Sequence, residues 1–294
     1  MPHVKLEVKY KRWGWLFTAP AALFIFVLCF YPMLNALYMS FRSGLGNNLR
    51  FSGFRNYIRL FQDEMFLTSV GNVFIFLIVQ VPVMLFLALI LASILNDAKL
   101  KFRGLFRTVV FLPCTIALVS SALIFRSLFA IDGLINSLLL RIGILSNAIN
   151  WLADPFWAKV VIILVITWRW TGYNTIFYLA GLQTIESSVY EAARIDGASP
   201  LQQFFRITIP LLKPVILLTT IMSTNGTIQL FAEPKNLTAG GPGISTLTLS
   251  LHIYNISFMY TPQFGYAAAV SYTILFMVAV LSFVQMKVGD RREI

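Results

Sequence analysis

Five polar side chains within or beside long apolar runs carry the first chemical signal: Arg169, Asn174, Asn225, Gln229 and Glu233. Near mid-bilayer an ionisable group costs about 2.5 to 3.5 kcal/mol unless it faces protein or water. Arg169 is the one charged residue inside such a run, and Trp168 and Trp170 on either side permit cation–π contact. Asn225 and Gln229 stand one helical turn apart and Glu233 one turn further, which predicts a polar stripe. Donors and acceptors of this kind suit a hydroxyl-rich solute, with nearby rings stacking on its faces. Hydrogen bonding between helices would use the same residues.

The second signal lies in the loop at 183–213. Ser188 with Glu191, and Ser199 with Gln202, each have the spacing of a capping box, in which side chain and backbone at the first turn satisfy one another. Pro200 falls at a first helical position, where its missing donor does no harm. Asp196-Gly197 between the boxes offers a left-handed helix end. The expected product is a helix-turn-helix whose second arm carries an apolar face of Leu201, Phe204, Phe205, Thr208 and Ile209. A polar hairpin with such a face is built to dock against a partner.

The elements that position these residues are membrane spans. The composition, 58% hydrophobic and 12% charged over 294 residues, is far from that of an ordinary soluble domain. Six runs are long enough, or nearly long enough, to cross about 30 Å of hydrocarbon: 14–38, 70–95, 108–125, 160–181, 214–232 and 264–286. Pro20, Pro32, Pro82 and Pro113 lie inside runs and predict kinks, not span ends. The first run is too long for the core of a cleaved signal peptide. A net charge of +11 does not point to nucleic acid, because the cations flank the runs instead of sharing a face. Fourteen Lys and Arg fall on the side of the tails and of loop 183–213, against eight on the other, which predicts both termini cytoplasmic. The segment 134–145 has the periodicity of an interfacial helix, followed by Trp151 and Trp157 as belt residues.

The absences narrow the chemistry. Cys29 and Cys114 lie in apolar stretches and give no disulfide framework, and His252 has no companion metal ligand. No phosphate-binding loop occurs, so energy from ATP must come from another chain. Zinc-hydrolase and nucleophile-elbow motifs are missing, which speaks against an enzyme. No Asp or Glu lies within a run, which argues against a proton-coupled single-chain secondary sugar carrier, the alternative reading.

Glu191-Ala192-Ala193, three residues, Gly197, nine residues, then Ile207-Thr208-Ile209-Pro210 resembles the EAA loop of permease subunits in binding-protein-dependent ABC importers. Ile209 departs conservatively from that family's Leu. Phe51-Ser52-Gly53-Phe54-Arg55-Asn56-Tyr57, and Gly240-Gly241-Pro242 followed by Ser245-Thr246, are similar to the carbohydrate-uptake branch, in particular to the first permease of maltose-type and glycerol-phosphate-type systems.

The resemblance implies an all-α integral membrane protein of six spans with a cytoplasmic coupling loop. It implies a tail, first span and outer loop at 1–68, a permease core at 69–287 with the EAA loop at 183–213, and a tail at 288–294. Expected partners are a second permease subunit in a heterodimer, ATP-binding subunits that use the ATP, an extracytoplasmic solute-binding protein and a sugar, in a prokaryotic inner membrane. No cofactor is expected on this chain. Glu191, Ala192, Ala193, Asp196, Gly197, Ile207 and Pro210 would dock the ATPase; Arg169, Asn174, Asn225, Gln229 and Glu233 would line the sugar path. For the stretch after Gly243 the resemblance implies helix, whereas alternation from Thr246 to Ile253 argues for a strand. Both readings stand at this point.

Overall fold

A computed structural model describes residues 2–46, 48–97 and 99–290, and the side chains of those from residue 13 to residue 289. In chain order the elements are α1 (Pro2–Ile25), a π-helical turn (Phe26–Phe30), α2 (Tyr31–Ser40), β1 (Arg42–Leu45), β2 (Asn48–Phe51) and α3 (Arg55–Leu60). There follow α4 (Glu64–Asn96), α5 (Arg103–Thr115), α6 (Leu118–Leu128), α7 (Leu134–Arg141) and α8 (Pro155–Leu182). The next are α9 (Ser187–Ile195), α10 (Pro200–Gln203), a π-helical turn (Phe204–Thr208), α11 (Ile209–Leu211) and α12 (Lys213–Ile228). The last are α13 (Ala232–Leu237), α14 (Leu249–Tyr254), a third π-helical turn (Asn255–Met259) and α15 (Phe264–Asp290).

Among the described residues, four helices are long and apolar enough to cross a membrane: Trp13–Ser40, Glu64–Asn96, Pro155–Leu182 and Phe264–Gly289. Two further pairs pass only as bent units. Arg103–Thr115 with Leu118–Leu128 turns by 98°, and Pro200–Leu211 with Lys213–Ile228 by 71°. Among the described residues the candidate spans thus number four to six. The run at 108–125 is broken where only a kink was expected: Ile116 and Ala117 are both extended (ψ 136° and 137°), interrupting the helical ladder just after Pro113. Pro82, by contrast, is carried inside the unbroken α4. The run at 214–232 is also shorter than expected, since α12 ends at Ile228.

The chain divides into two compact units. One comprises residues 1–61 and 255–273. Its β1–β2 hairpin pairs Arg42 with Phe51 and Leu45 with Asn48, and Asn56 ties it to α2 by donating to the carbonyls of Ser40 and Arg42, both at 2.8 Å. Gly265 is needed beside it, because a Cβ there would lie 1.9 Å from the Arg42 carbonyl oxygen. Two arginines of this first polar loop are held by aromatic rings. The Arg42 guanidinium sits 5.2 Å from the Tyr38 ring and that of Arg59 4.1 Å from Tyr266, with Arg59 also donating to Gln263 at 2.6 Å. These cations therefore have structural work apart from marking topology.

The other unit comprises residues 62–254 and 274–294. Helices α4 and α8 start with carboxylate caps: Asp63 accepts from the backbone of Met65 and Phe66, and Asp154 from Phe156 and Trp157. One apolar cluster gathers Phe76, Phe125, Phe129, Trp151, Val161, Ile162 and Leu237, a second Ala88, Ala92, Tyr178, Leu182 and Leu212. Small residues allow the backbones to meet. A Cβ at Gly172 would lie 2.0 Å from the Val110 carbonyl oxygen, so α5 rests directly on α8 there. The segment 134–145 is helical only as α7, and Ile135 and Leu139 pack on the first cluster while Leu134 and Leu138 are exposed.

The strand expected from Thr246 to Ile253 does not form; its second half is α14. The alternation misleads because the hydroxyls are buried as well as the apolar side chains. Thr246 donates to the Gly241 carbonyl and Thr248 to that of Leu230, so both polar residues find partners inside the fold.

Candidate functional site

The loop at 183–213 folds as a hairpin of two helical arms. Gly197 has φ +80° and ends α9, with the Ala198 N–H donating to the Ala193 carbonyl at 2.9 Å. The capping box at Ser199 is complete: Gln202 N–H donates to Ser199 Oγ and Ser199 N–H to Gln202 Oε1. The one expected at Ser188 is not. Helix α9 begins at Ser187 behind Glu186, which puts Ser188 inside the first turn, and its hydroxyl donates to the Glu186 carboxylate at 3.2 Å. Tyr190 Oη and Thr208 Oγ1, 3.0 Å apart, fasten the first arm to the second.

The expected apolar face divides into two. Phe204 and Ile209 pack against the second cluster and Thr208 is buried. Leu201 and Phe205 point away and are 68% and 52% exposed, and Ile195, at the hairpin's tip, is 87% exposed. Glu191, Ala192, Asp196, Gly197 and Pro210 are exposed too, whereas Ala193 and Ile207 are half-buried. The hairpin thus anchors on one side and presents acid, small and apolar residues on the other, the make-up of a docking surface.

The five polar residues within or beside the apolar runs do not form one stripe. Gln229 caps the end of α12 and is exposed, while Glu233 lies on the separate α13. Helix α12 ends before the stripe could continue. Asn225 is half-buried, its Oδ1 3.5 Å from the Ser282 hydroxyl. Arg169 and Glu233 are brought together although 64 residues separate them in sequence. Each is only 6% exposed. Arg169 donates from Nη1 to Ser121 at 3.1 Å and lies 5.8 Å from the Trp170 ring. Burial pushes the Glu233 carboxyl above the ordinary carboxylate range, opposed by its own backbone N–H, the Arg169 charge and a hydrogen bond from Trp170.

Asn174 belongs to a second polar group joining three helices. It donates to the Trp170 carbonyl at 3.0 Å, lies 3.7 Å from Met84 Sδ, and its Oδ1 is 3.5 Å from the Ser223 hydroxyl. Gln80, which sequence reasoning passed over, meets the same sulfur at 3.0 Å and accepts from Thr227 at 3.1 Å. It is 1% exposed. Gln80 and Asn72, the two amide side chains in the run at 70–95, were a signal open to a cost argument like that made for Arg169. Thr219 with Tyr178, at 2.9 Å, and Thr224 with Gln285, at 2.7 Å, extend the buried hydrogen bonding along α12. Such a seam offers hydroxyl, amide and guanidinium groups but no nucleophile with its base. Among the described residues no group of His, Cys, Asp and Glu could hold a metal ion.

The family model described as binding-protein-dependent transport system inner membrane component matches residues 66–289. A lactose transport system permease protein of Rhizobium radiobacter is 55% identical over 282 residues, covering 95% of each chain. A trehalose/maltose transport system permease protein of Thermococcus litoralis is 34% identical and covers 98% of this chain and 97% of its own. A solved bacterial ABC transporter involved in the import of the acidic polysaccharide alginate has a chain of the same fold, with TM-score 0.86 at 22% identity over 99% of this chain and 100% of that one.

Proposed function

The chain belongs to the binding-protein-dependent transport system inner membrane components, and on that premise we propose that it is the membrane-spanning permease subunit of an ATP-driven sugar importer. The relatives are named as transport permeases, not enzymes, and two of them are named for lactose and for trehalose and maltose. Six spans with both termini in the cytoplasm accommodate the four long helices and count each bent pair as one crossing. Residues 69–287 form the permease core between the segments 1–68 and 288–294. It pairs with a second permease subunit, takes sugar from an extracytoplasmic binding protein, and relies on separate subunits for ATP hydrolysis.

The observation that carries the reading is the hairpin: one side fixed to the helices by Phe204, Thr208 and Ile209, the other bearing Glu191, Ile195, Leu201 and Phe205. A partner that grips the exposed side moves α12 through a rigid lever, because Tyr190 joins the arms. Ala192 and Ala193 let the partner's surface approach closely, Asp196 and Gly197 shape the bend, and Ile207 and Pro210 sit on the arm that leads into the membrane. Arg169, Asn174, Asn225, Gln229 and Glu233, with Gln80 and Thr227, provide the polar groups of the sugar route.

Gly197 supplies the test. Its Cβ would meet nothing within 4 Å, so substitution acts through the left-handed backbone alone. Gly197→Val should abolish co-purification of the ATPase and ATP-dependent uptake while the chain still inserts, and Gly197→Asn should retain both. Normal uptake by the valine variant would end the docking proposal. A cysteine placed at Asp196 should resist an impermeant reagent in sealed cells; rapid labelling there would overturn the orientation.

A further inference from the structure

A cavity of about 280 Å³ opens among the end of α6, the turn before α8, and α13 with the turn after it. Arg126 and Lys235 line it from different elements, together with Asn150, Asn236 and Thr238. Its walls are preformed. Asn150 O accepts from the backbone of Ala153 and Asp154, Asn236 donates to the Ala232 carbonyl at 2.7 Å, and Thr238 is 2.6 Å from the Thr246 hydroxyl. Leu237, which also lines it, belongs to the first apolar cluster, and Leu152 packs against that cluster.

Of the acids nearest in sequence, Asp132 is exposed and the other two are occupied elsewhere. Asp154 caps α8, and Glu233 is buried toward Trp170 and Arg169. Lys235 Nζ rests 4.5 Å from the Tyr254 ring centroid. Among the described residues no carboxylate is within ion-pair distance of Arg126 or Lys235. Two cations therefore share a rigid, open recess without a counter-charge, an arrangement that favours an incoming anion and costs little ordering when one arrives.

We propose that this recess is an anchor for an acidic side chain of the solute-binding protein, with Arg126 and Lys235 holding its carboxylate. This deepens the importer reading and rests on it, since that reading puts α13 and the turn before α8 on the outer face. A sugar is the poorer occupant: no aromatic ring lines the cavity, and none of Gln80, Asn174, Thr227 or Glu233 does, so the recess is separate from the polar seam.

The test uses the complete importer in lipid nanodiscs and, as probe, the exported protein that stimulates its ATP hydrolysis. Reversing both charges, Arg126→Glu with Lys235→Glu, should raise the half-saturating concentration of that protein about tenfold and leave the maximal rate unchanged. Exchanging the cations, Arg126→Lys with Lys235→Arg, should preserve the wild-type value, which guards against misfolding. Carbodiimide should couple Lys235 to an Asp or Glu of the same protein as an amide, with loss of water. Unchanged half-saturation in the reversed variant, or a lower maximal rate at unchanged half-saturation, overturns the anchor. Failure of every exported protein to stimulate the wild-type complex overturns the importer reading instead.

Discussion

Tyr190 Oη lies 3.0 Å from Thr208 Oγ1, a contact spanning 18 residues that closes the hairpin. It joins the arm that carries Glu191 to a buried residue of the arm that enters α12. Removing it costs about 0.5 to 1.5 kcal/mol and leaves the Thr208 hydroxyl unsatisfied. Tyr190→Phe should lower sugar uptake per ATP hydrolysed in the complete importer while hydrolysis itself persists. Thr208→Val should act alike, and the double variant no worse than either single one. Strictly additive losses would show that the two hydroxyls act separately.

The position of Glu233 gives a pH dependence. Because burial raises its carboxyl above the usual range, the folded state keeps a proton that the unfolded chain has already released. Stability therefore falls as pH rises from the unfolded value, about 4.3, and the loss is complete only above the folded value. Glu233→Gln removes the titration, so the thermal midpoint of the detergent-solubilised protein should lose part of its fall as pH rises above about 4.3. Identical pH profiles for the two proteins would contradict the assignment.

Two glycines of the same unit should behave in opposite ways. At Gly172 an added methyl meets backbone, 2.0 Å from the Val110 oxygen, and helix α5 must shift away from α8. At Gly71, inside α4, it meets nothing within 4 Å. Gly172→Ala is expected to destabilise by about 1 to 3 kcal/mol, and Gly71→Ala to stabilise by about 0.5 to 1 kcal/mol through helix propensity. Thermal inactivation of the solubilised protein reads both, and tolerance of alanine at 172 would deny the close crossing.

These contrasts show what local patterns hold and what they lack. Gly197, Ser199 and Gln202 were legible because a turn and a cap are settled within a few residues. Hydropathy located the apolar runs, but not the break at Ile116 and Ala117, since composition alone does not fix backbone angles. The stripe from Asn225 to Glu233 failed for a similar reason: helical spacing has meaning only while the helix lasts, and α12 ends at Ile228. Arg169 and Glu233 were both singled out as polar residues in costly places. Their proximity depends on how α13 folds back toward α8, a tertiary fact with no local signature.

Asp63 serves both the start of α4 and His252 with one carboxylate. Its Oδ1 accepts from the N–H groups of Met65, at 2.9 Å, and Phe66, at 3.4 Å, while Oδ2 lies 3.7 Å from Nε2 of the buried His252 on α14. Asparagine caps a helix about as well as aspartate, whereas alanine does not. Asp63→Asn therefore keeps the cap of α4 and removes the charge beside the imidazole; Asp63→Ala removes both. The expected order of thermal stability is wild type, then asparagine, then alanine, with about 1 kcal/mol between the two variants. Equal stability of the variants would mean that the cap contributes nothing and that the carboxylate acts at this helix end only through its charge toward His252.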